Sequence, residues 1–110
     1  MTVSEFLSKP ESHFVIVVIS NLKAAKEYIK EYFPYQQDEI TGIVTFQDLI
    51  AFQQDNLDVF DDNDITVRFC KELNKYVLYL NDNQDKVKQL TVTEVTRLHL
   101  DEYLFIIEVV

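Results

Sequence analysis

Glycine is almost absent from this sequence, since Gly42 is the only one in 110 residues. Phosphate-cradling loops and dinucleotide-binding turns need several glycines, because the backbone must approach the ligand closely there. The scarcity therefore excludes Walker-type and Rossmann-type nucleotide sites.

Cysteine is as scarce as glycine, with Cys70 alone. An internal disulfide is impossible, and a lone thiol is typical of a reducing compartment. The longest apolar run, Phe14 to Ile19, has six residues, whereas a membrane-spanning helix needs about twenty. The segment Met1 to Glu5 lacks the basic and apolar regions of a signal peptide. These absences predict a cytoplasmic protein that does not cross a membrane.

The chain nevertheless has ample material for a core. Hydrophobic residues make up 47% of it and aromatic residues 13%, which is enough to fold without a metal or a disulfide. Its length also lies within the usual size of one domain. We therefore predict a single domain over residues 1–110.

Four segments have the pattern of β-strands. Phe14–Ile19 is apolar on both alternating faces, which is typical of a central strand covered on both sides, and Tyr103–Val110 repeats the pattern with one charged exception. Ile65–Lys71 and Tyr76–Leu80 are predicted to form a hairpin. The segment 93–100 fits a strand or a helix.

Helical periodicity is clearest over Leu22–Phe33, where apolar residues form one stripe and Pro34 ends the helix. Thr45 resembles a helix cap, and a second helix is predicted from Phe46 to Gln54. Gly42–Phe46 fits a short strand. Because helices come early and hairpins late, we predict an α+β fold with a mainly antiparallel sheet of four to five strands and two main helices packed on it.

The acidic residues are distributed very unevenly. The chain has a net charge of −9, and residues 31–64 contain nine acidic residues and no basic one. The rest of the chain is close to neutral. We call residues 31–64 the acidic block. Crowding of like charge destabilises a fold by self-repulsion, so the block is either a docking face for a basic partner or a solvated loop that serves only solubility.

The part of the acidic block from Asp55 to Asp64 is predicted to be a loop with a few apolar anchors. As a docking face, the block would contact the partner through one aromatic and eight acidic residues. The predicted partner-binding residues are Asp38, Glu39, Asp48, Asp55, Asp58, Phe60, Asp61, Asp62 and Asp64.

Metal binding and catalysis find little support. The aspartates lack the alternation, the glycine and the closing glutamate of an EF-hand loop. His13, His99 and Cys70 show no ligand spacing, and a free cysteine in a strand is most often a small buried hydrophobe. We therefore predict that the protein is not an enzyme and needs no cofactor.

Direct nucleic-acid binding is also disfavoured, because the ten basic residues are spread thinly and phosphate binding needs a basic face. A more specific possibility is a nucleic-acid mimic that occupies the phosphate-binding face of an enzyme. Fully extended, Asp55 to Asp64 would span about 33 Å and present about one charge per 6–7 Å, which is sparser than the roughly 3.4 Å spacing of one DNA strand.

These observations predict a non-enzymatic protein-binding module that docks on a basic protein, for instance a nucleic-acid-binding enzyme. Phage anti-defence proteins, nucleic-acid mimics and toxin-immunity proteins form the functional class expected. The alternative is a structural or homo-oligomeric module that presents Tyr35, Phe60 or a sheet edge to a second copy, with a merely solubilising acidic loop.

Overall fold

The computed structural model describes residues 1–10, 14–98 and 104–110. Within these ranges the chain forms six helices and five strands, which follow one another as α1 (Val3–Leu7), β1 (Phe14–Ile19), α2 (Leu22–Lys30), α3 (Gln37–Thr41), α4 (Phe46–Asp55), α5 (Leu57–Asp62), β2 (Thr66–Cys70), β3 (Lys75–Leu80), α6 (Asp85–Lys88), β4 (Val92–Arg97) and β5 (Leu104–Val109).

The strands form one sheet in the order β2-β3-β1-β5-β4. β1 and β5 run parallel, and the other neighbours pair antiparallel. The predicted α+β fold with a mainly antiparallel sheet is confirmed. β1 is the middle strand and β5 lies beside it, so both two-sided apolar segments are interior strands as predicted, although Tyr103 lies outside the described residues.

All six described helices pack on one face of this sheet. Each contributes at least one buried residue to the same apolar cluster: Val3 and Phe6 from α1, Ala25, Tyr28 and Ile29 from α2, Ile40 from α3, Leu49 and Phe52 from α4, Phe60 from α5, and Val87 from α6. A second, smaller cluster of Val18, Cys70, Val77 and Ile106 lies on the opposite face, because alternate strand residues point to opposite sides.

The longer helices begin where the sequence predicted them. The side chain of Asn21 caps α2 by accepting a hydrogen bond from the backbone N–H of Ala24 at 3.0 Å. That of Thr45 caps α4 in the same way, accepting from the backbone N–H of Asp48 at 3.1 Å. Each cap satisfies a backbone donor that has no partner within the helix. α2 is shorter than the predicted helix over Leu22–Phe33, since it ends at Lys30.

Two connections differ from the prediction. Gly42–Phe46 forms no strand, since α3 leads through a short turn directly into α4. Asp55–Asp64 is not a loop either, because α5 occupies most of it. In the segment left open, β4 extends to Arg97, while His99 and Leu100 lie outside the described residues, as does His13.

One edge of the sheet is closed by a side chain. The amide of Gln53 on α4, itself buried, donates to the carbonyl oxygen of Val67 at 3.1 Å and accepts from its backbone N–H at 2.7 Å. Gln53 thus takes the place of a neighbouring strand at this point of β2. An edge blocked in this way does not pair there with another chain.

Candidate docking surface

The acidic block folds mainly into three consecutive helices, α3, α4 and α5. All eight predicted acidic residues are exposed. Asp38 and Glu39 lie on α3, Asp48 and Asp55 on α4, and the remainder on or just after α5. We call the exposed surface of α3, α5 and the α4–α5 junction the acidic face.

A side-chain contact joins the start of α3 to the junction of α4 and α5. The Gln36 amide nitrogen lies 3.4 Å from a carboxylate oxygen of Glu39 and 3.4 Å from the side-chain oxygen of Asn56. Residues flanking these two positions therefore belong to one surface. Asp48 lies farther off, because it precedes Asp55 by seven positions, which is about 10 Å along the axis of α4.

The helical form of α5 concentrates its charge. Asp58, Asp61 and Asp62 are related by three- and four-residue spacings, which place them on one side of the helix. They span about 6 Å along its axis. The extended spacing expected from the sequence is therefore wrong, and the local charge density is close to that of one nucleic-acid strand.

Phe60 does not belong to the surface, so its prediction as a partner-binding residue is wrong. Only 1% of it is exposed. Its ring centroid lies 5.8 Å from that of Phe33 and 6.2 Å from that of Phe52. Buried aromatic area stabilises a core strongly, and the buried Phe60 side chain packs α5 against α4 and against the segment that follows α2.

Other apolar side chains of the acidic block do reach solvent. Tyr35 is 98% exposed, Val44 75% and Leu57 45%. Tyr35 and Leu57 directly adjoin the two residues joined by the Gln36–Asn56 contact, so they flank the same part of the acidic face. An exposed aromatic beside charged groups is a frequent source of binding energy in protein interfaces.

Ion pairing within the part of the chain that the structure describes leaves almost the whole block unneutralised. Among the described residues, only Glu31 of its nine acids has a cation within 4.0 Å, namely the ammonium of Lys86 at 2.7 Å. Lys26 approaches the block without pairing an acid, because its ammonium binds the carbonyl oxygens of Thr41 and Ile43. The fold thus holds the negative charge together without compensating it.

Two acidic residues from outside the block lie close in sequence to a contact with the end of α5. The Gln84 amide donates to the carbonyl oxygen of Asn63 at 3.2 Å, which brings the turn before α6 against the end of α5. Asp82 and Asp85 flank that contact. No pattern in the sequence signals their participation, because about twenty residues separate them from Asn63 and only the fold brings the segments together.

A buried carboxylate lies on the opposite face of the sheet. One oxygen of Glu108 accepts hydrogen bonds from the Ser20 hydroxyl and the Lys75 ammonium, both at 2.6 Å. Burial raises the pKa of the Glu108 carboxyl, but the bonds from Lys75 and Ser20 outweigh it and hold the pKa below its ordinary value. The group is charged and paired, as a structural buried carboxylate must be.

The structure shows how the potential metal ligands and Cys70 are placed. In residues 1–10, 14–98 and 104–110, no three side chains of histidine, cysteine, aspartate or glutamate come together as metal ligands. Cys70 is buried, with its sulfur 3.5 Å from a carboxylate oxygen of Glu72. Within the same ranges, no helix is long and apolar enough to cross a membrane.

Two aspartates of the acidic face lie at an electrostatically unfavourable position in their own helix. Asp61 and Asp62 lie in the last turn of α5, where the negative end of the helix dipole repels carboxylates. We expect Asp61→Asn with Asp62→Asn to raise the free energy of unfolding by about 0.3–1 kcal/mol per charge, measured by urea denaturation at low salt.

The matched control is Asp48→Asn, because Asp48 lies in the first turn of α4. There the dipole favours a negative charge, and the substitution should lower the free energy of unfolding by a similar amount. Should the double variant instead be less stable than the wild type, the α5 acids stabilise the fold locally and their presence needs no binding role.

Comparison of the chain with protein-family models, with curated proteins and with solved structures gives no significant match. The acidic face is therefore the feature of the molecule that points to a function.

Proposed function

We propose that the protein is a non-enzymatic binding module that docks on a basic protein through its acidic face. The observation that carries the proposal is the uncompensated charge. Eight exposed acids of the block have no cation within 4.0 Å among the described residues. Like charges held together in this way cost stability, and a partner that neutralises them would recover it.

Charge alone gives fast encounter more than affinity. Affinity requires apolar groups that lose water on binding, and Tyr35 with Leu57 meets that requirement beside the acids. The proposed contact consists of these two apolar side chains together with Asp38, Glu39, Asp55 and Asp58. Such a surface fits a basic patch with an apolar depression at its centre.

The three carboxylates of α5 match the charge spacing of a short stretch of nucleic-acid backbone. α5 ends at Asp62, so the match covers a few phosphates rather than a long track. The partner that fits best is a protein whose basic patch binds nucleic acid. Covering that patch would inhibit the partner, which is the activity of anti-defence and immunity proteins.

The test is capture of a partner from a cell lysate by the immobilised protein. Asp58→Asn, Asp61→Asn and Asp62→Asn are combined in one variant, and we expect it to capture about tenfold less partner, since exposed ion pairs are worth up to about 1 kcal/mol each. Binding by the wild type should weaken as the screening length falls from about 10 Å at 0.1 M salt to about 3 Å at 1 M.

The matched control removes the same charge elsewhere: Glu27→Gln, Glu72→Gln and Glu94→Gln, three exposed acids outside the block. It should bind as the wild type does. Equal capture by both triple variants, or binding that is unchanged in 1 M salt, would refute the docking face. A homo-oligomer would instead appear as self-association that survives high salt.

A further inference from the structure

The ion pair between Glu31 and Lys86 is also an aromatic cation site. The ammonium of Lys86 lies 2.7 Å from a carboxylate oxygen of Glu31 and 4.2 Å from the ring centroids of both Tyr28 and Tyr32. Tyr28 lies on α2 and Tyr32 follows four residues later, just past the end of that helix, and their ring centroids lie 5.9 Å apart. Two π-faces and a carboxylate together form a site for a side-chain cation.

Lys86 occupies this site and belongs to α6, a short helix with few buried residues. α6 has four residues, and only Val87 of them is buried. The Lys86 side chain is 34% exposed and that of Glu31 is 68% exposed, so both are accessible from solvent. Burial lowers the pKa of the Lys86 ammonium, but Glu31 and Tyr32 outweigh that effect and raise it, which fits a site that favours positive charge.

The site is continuous with the acidic face. The Tyr32 hydroxyl lies 3.4 Å from the side-chain oxygen of Gln84, whose amide nitrogen reaches the carbonyl oxygen of Asn63 at the end of α5. A basic partner seated on α5 would therefore place its own cations near Glu31.

We propose that Tyr28, Tyr32 and Glu31 form a binding site for an arginine side chain of the partner, which Lys86 occupies in the free protein. The inference rests on the proposed docking function and adds a point of regulation to it. An arginine gains more here than Lys86 does, because its planar guanidinium can stack on a tyrosine ring and bind a carboxylate through two parallel hydrogen bonds. The displaced Lys86 would return to water, close to Asp82 and Asp85.

The test uses N-acetyl-L-argininamide as the probe and follows the ring-proton NMR signals of Tyr28 and Tyr32. Lys86→Ala vacates the site, and the probe should bind that variant at least about threefold more tightly than the wild type, since the competing occupant is gone. N-acetyl-L-lysinamide should bind more weakly, because an ammonium cannot form the paired hydrogen bonds.

Lys88→Ala is the matched control, since it removes the same charge from the same helix and lies outside the site. It should behave as the wild type. Lys86→Gln, which keeps the length of the side chain, is measured in parallel in case truncation disturbs α6, and should also bind more tightly than the wild type. Adding Glu31→Gln to Lys86→Ala should remove the gain.

Equal responses of Lys86→Ala and Lys88→Ala would reduce the effect to net charge and overturn the inference. So would the absence of a saturable shift of the tyrosine signals in both Lys86 variants. Either outcome leaves the docking proposal standing, because that proposal is decided by the α5 aspartates. Conversely, if the docking proposal is refuted, the titration with the arginine probe can still be interpreted.

Discussion

Replacing Phe60 with alanine will lower the free energy of unfolding by about 3–5 kcal/mol, the range for large buried aromatics. Phe60 is fully buried between Phe33 and Phe52, so truncation leaves a cavity where three rings now meet. Because α5 has only six residues and depends on this contact, the loss should be near the upper end. Urea denaturation followed by circular dichroism measures it.

Two substitutions make the result specific. Phe60→Leu keeps most of the apolar volume and should cost about half as much or less. Tyr35→Ala removes an aromatic of similar size that is 98% exposed, and should change stability by no more than about 0.5 kcal/mol. If Phe60→Ala were as mild as Tyr35→Ala, the aromatic cluster would not hold α5 in place.

The same comparison shows what a residue pattern can and cannot predict. Leu57, Val59 and Phe60 are all apolar and nearly adjacent, and nothing in their order tells which one points inward. Helix length limited the prediction as well. α2 and α4 are long enough for periodicity to show, whereas α3 and α5 have five and six residues and derive their stability from tertiary packing rather than from intrinsic propensity.

The candidate site, like the fold, could be predicted from the sequence only in part. The concentration of charge was readable from the sequence, because it depends only on composition along the chain. The charge spacing on α5, the arrival of Asp82 and Asp85, and the position of Lys86 over two tyrosine rings were not readable. Each depends on contacts between segments 20 to 60 residues apart, which no local pattern encodes.

Replacing Lys75 with methionine will destabilise the protein at pH 7 by about 2–3 kcal/mol, because it leaves the buried Glu108 carboxylate with Ser20 as its one remaining partner among the described residues. Methionine retains the apolar length of the side chain, so the loss reports the charge. The expected loss of stability is smaller than for a fully buried ion pair, because the Lys75 side chain is 46% exposed.

The dependence of stability on pH should separate this pair from ordinary surface charge. In the wild type, Glu108 has a lowered pKa in the folded state, so its stabilisation is present above the unfolded-state pKa near 4.5 and is lost as the pH falls through the folded-state value. Stability relative to a Glu108→Gln variant should therefore decrease on acidification below about pH 4.5.

Without Lys75 the sign reverses. Burial then dominates and raises the pKa of Glu108 above its unfolded value, so the carboxyl takes up a proton on folding and the Lys75→Met variant should recover part of its deficit between about pH 7 and pH 4.5. Urea denaturation of the three proteins at matched pH values measures both slopes. Parallel pH profiles for the wild type and Lys75→Met would show that the ion pair does not control the charge state of Glu108.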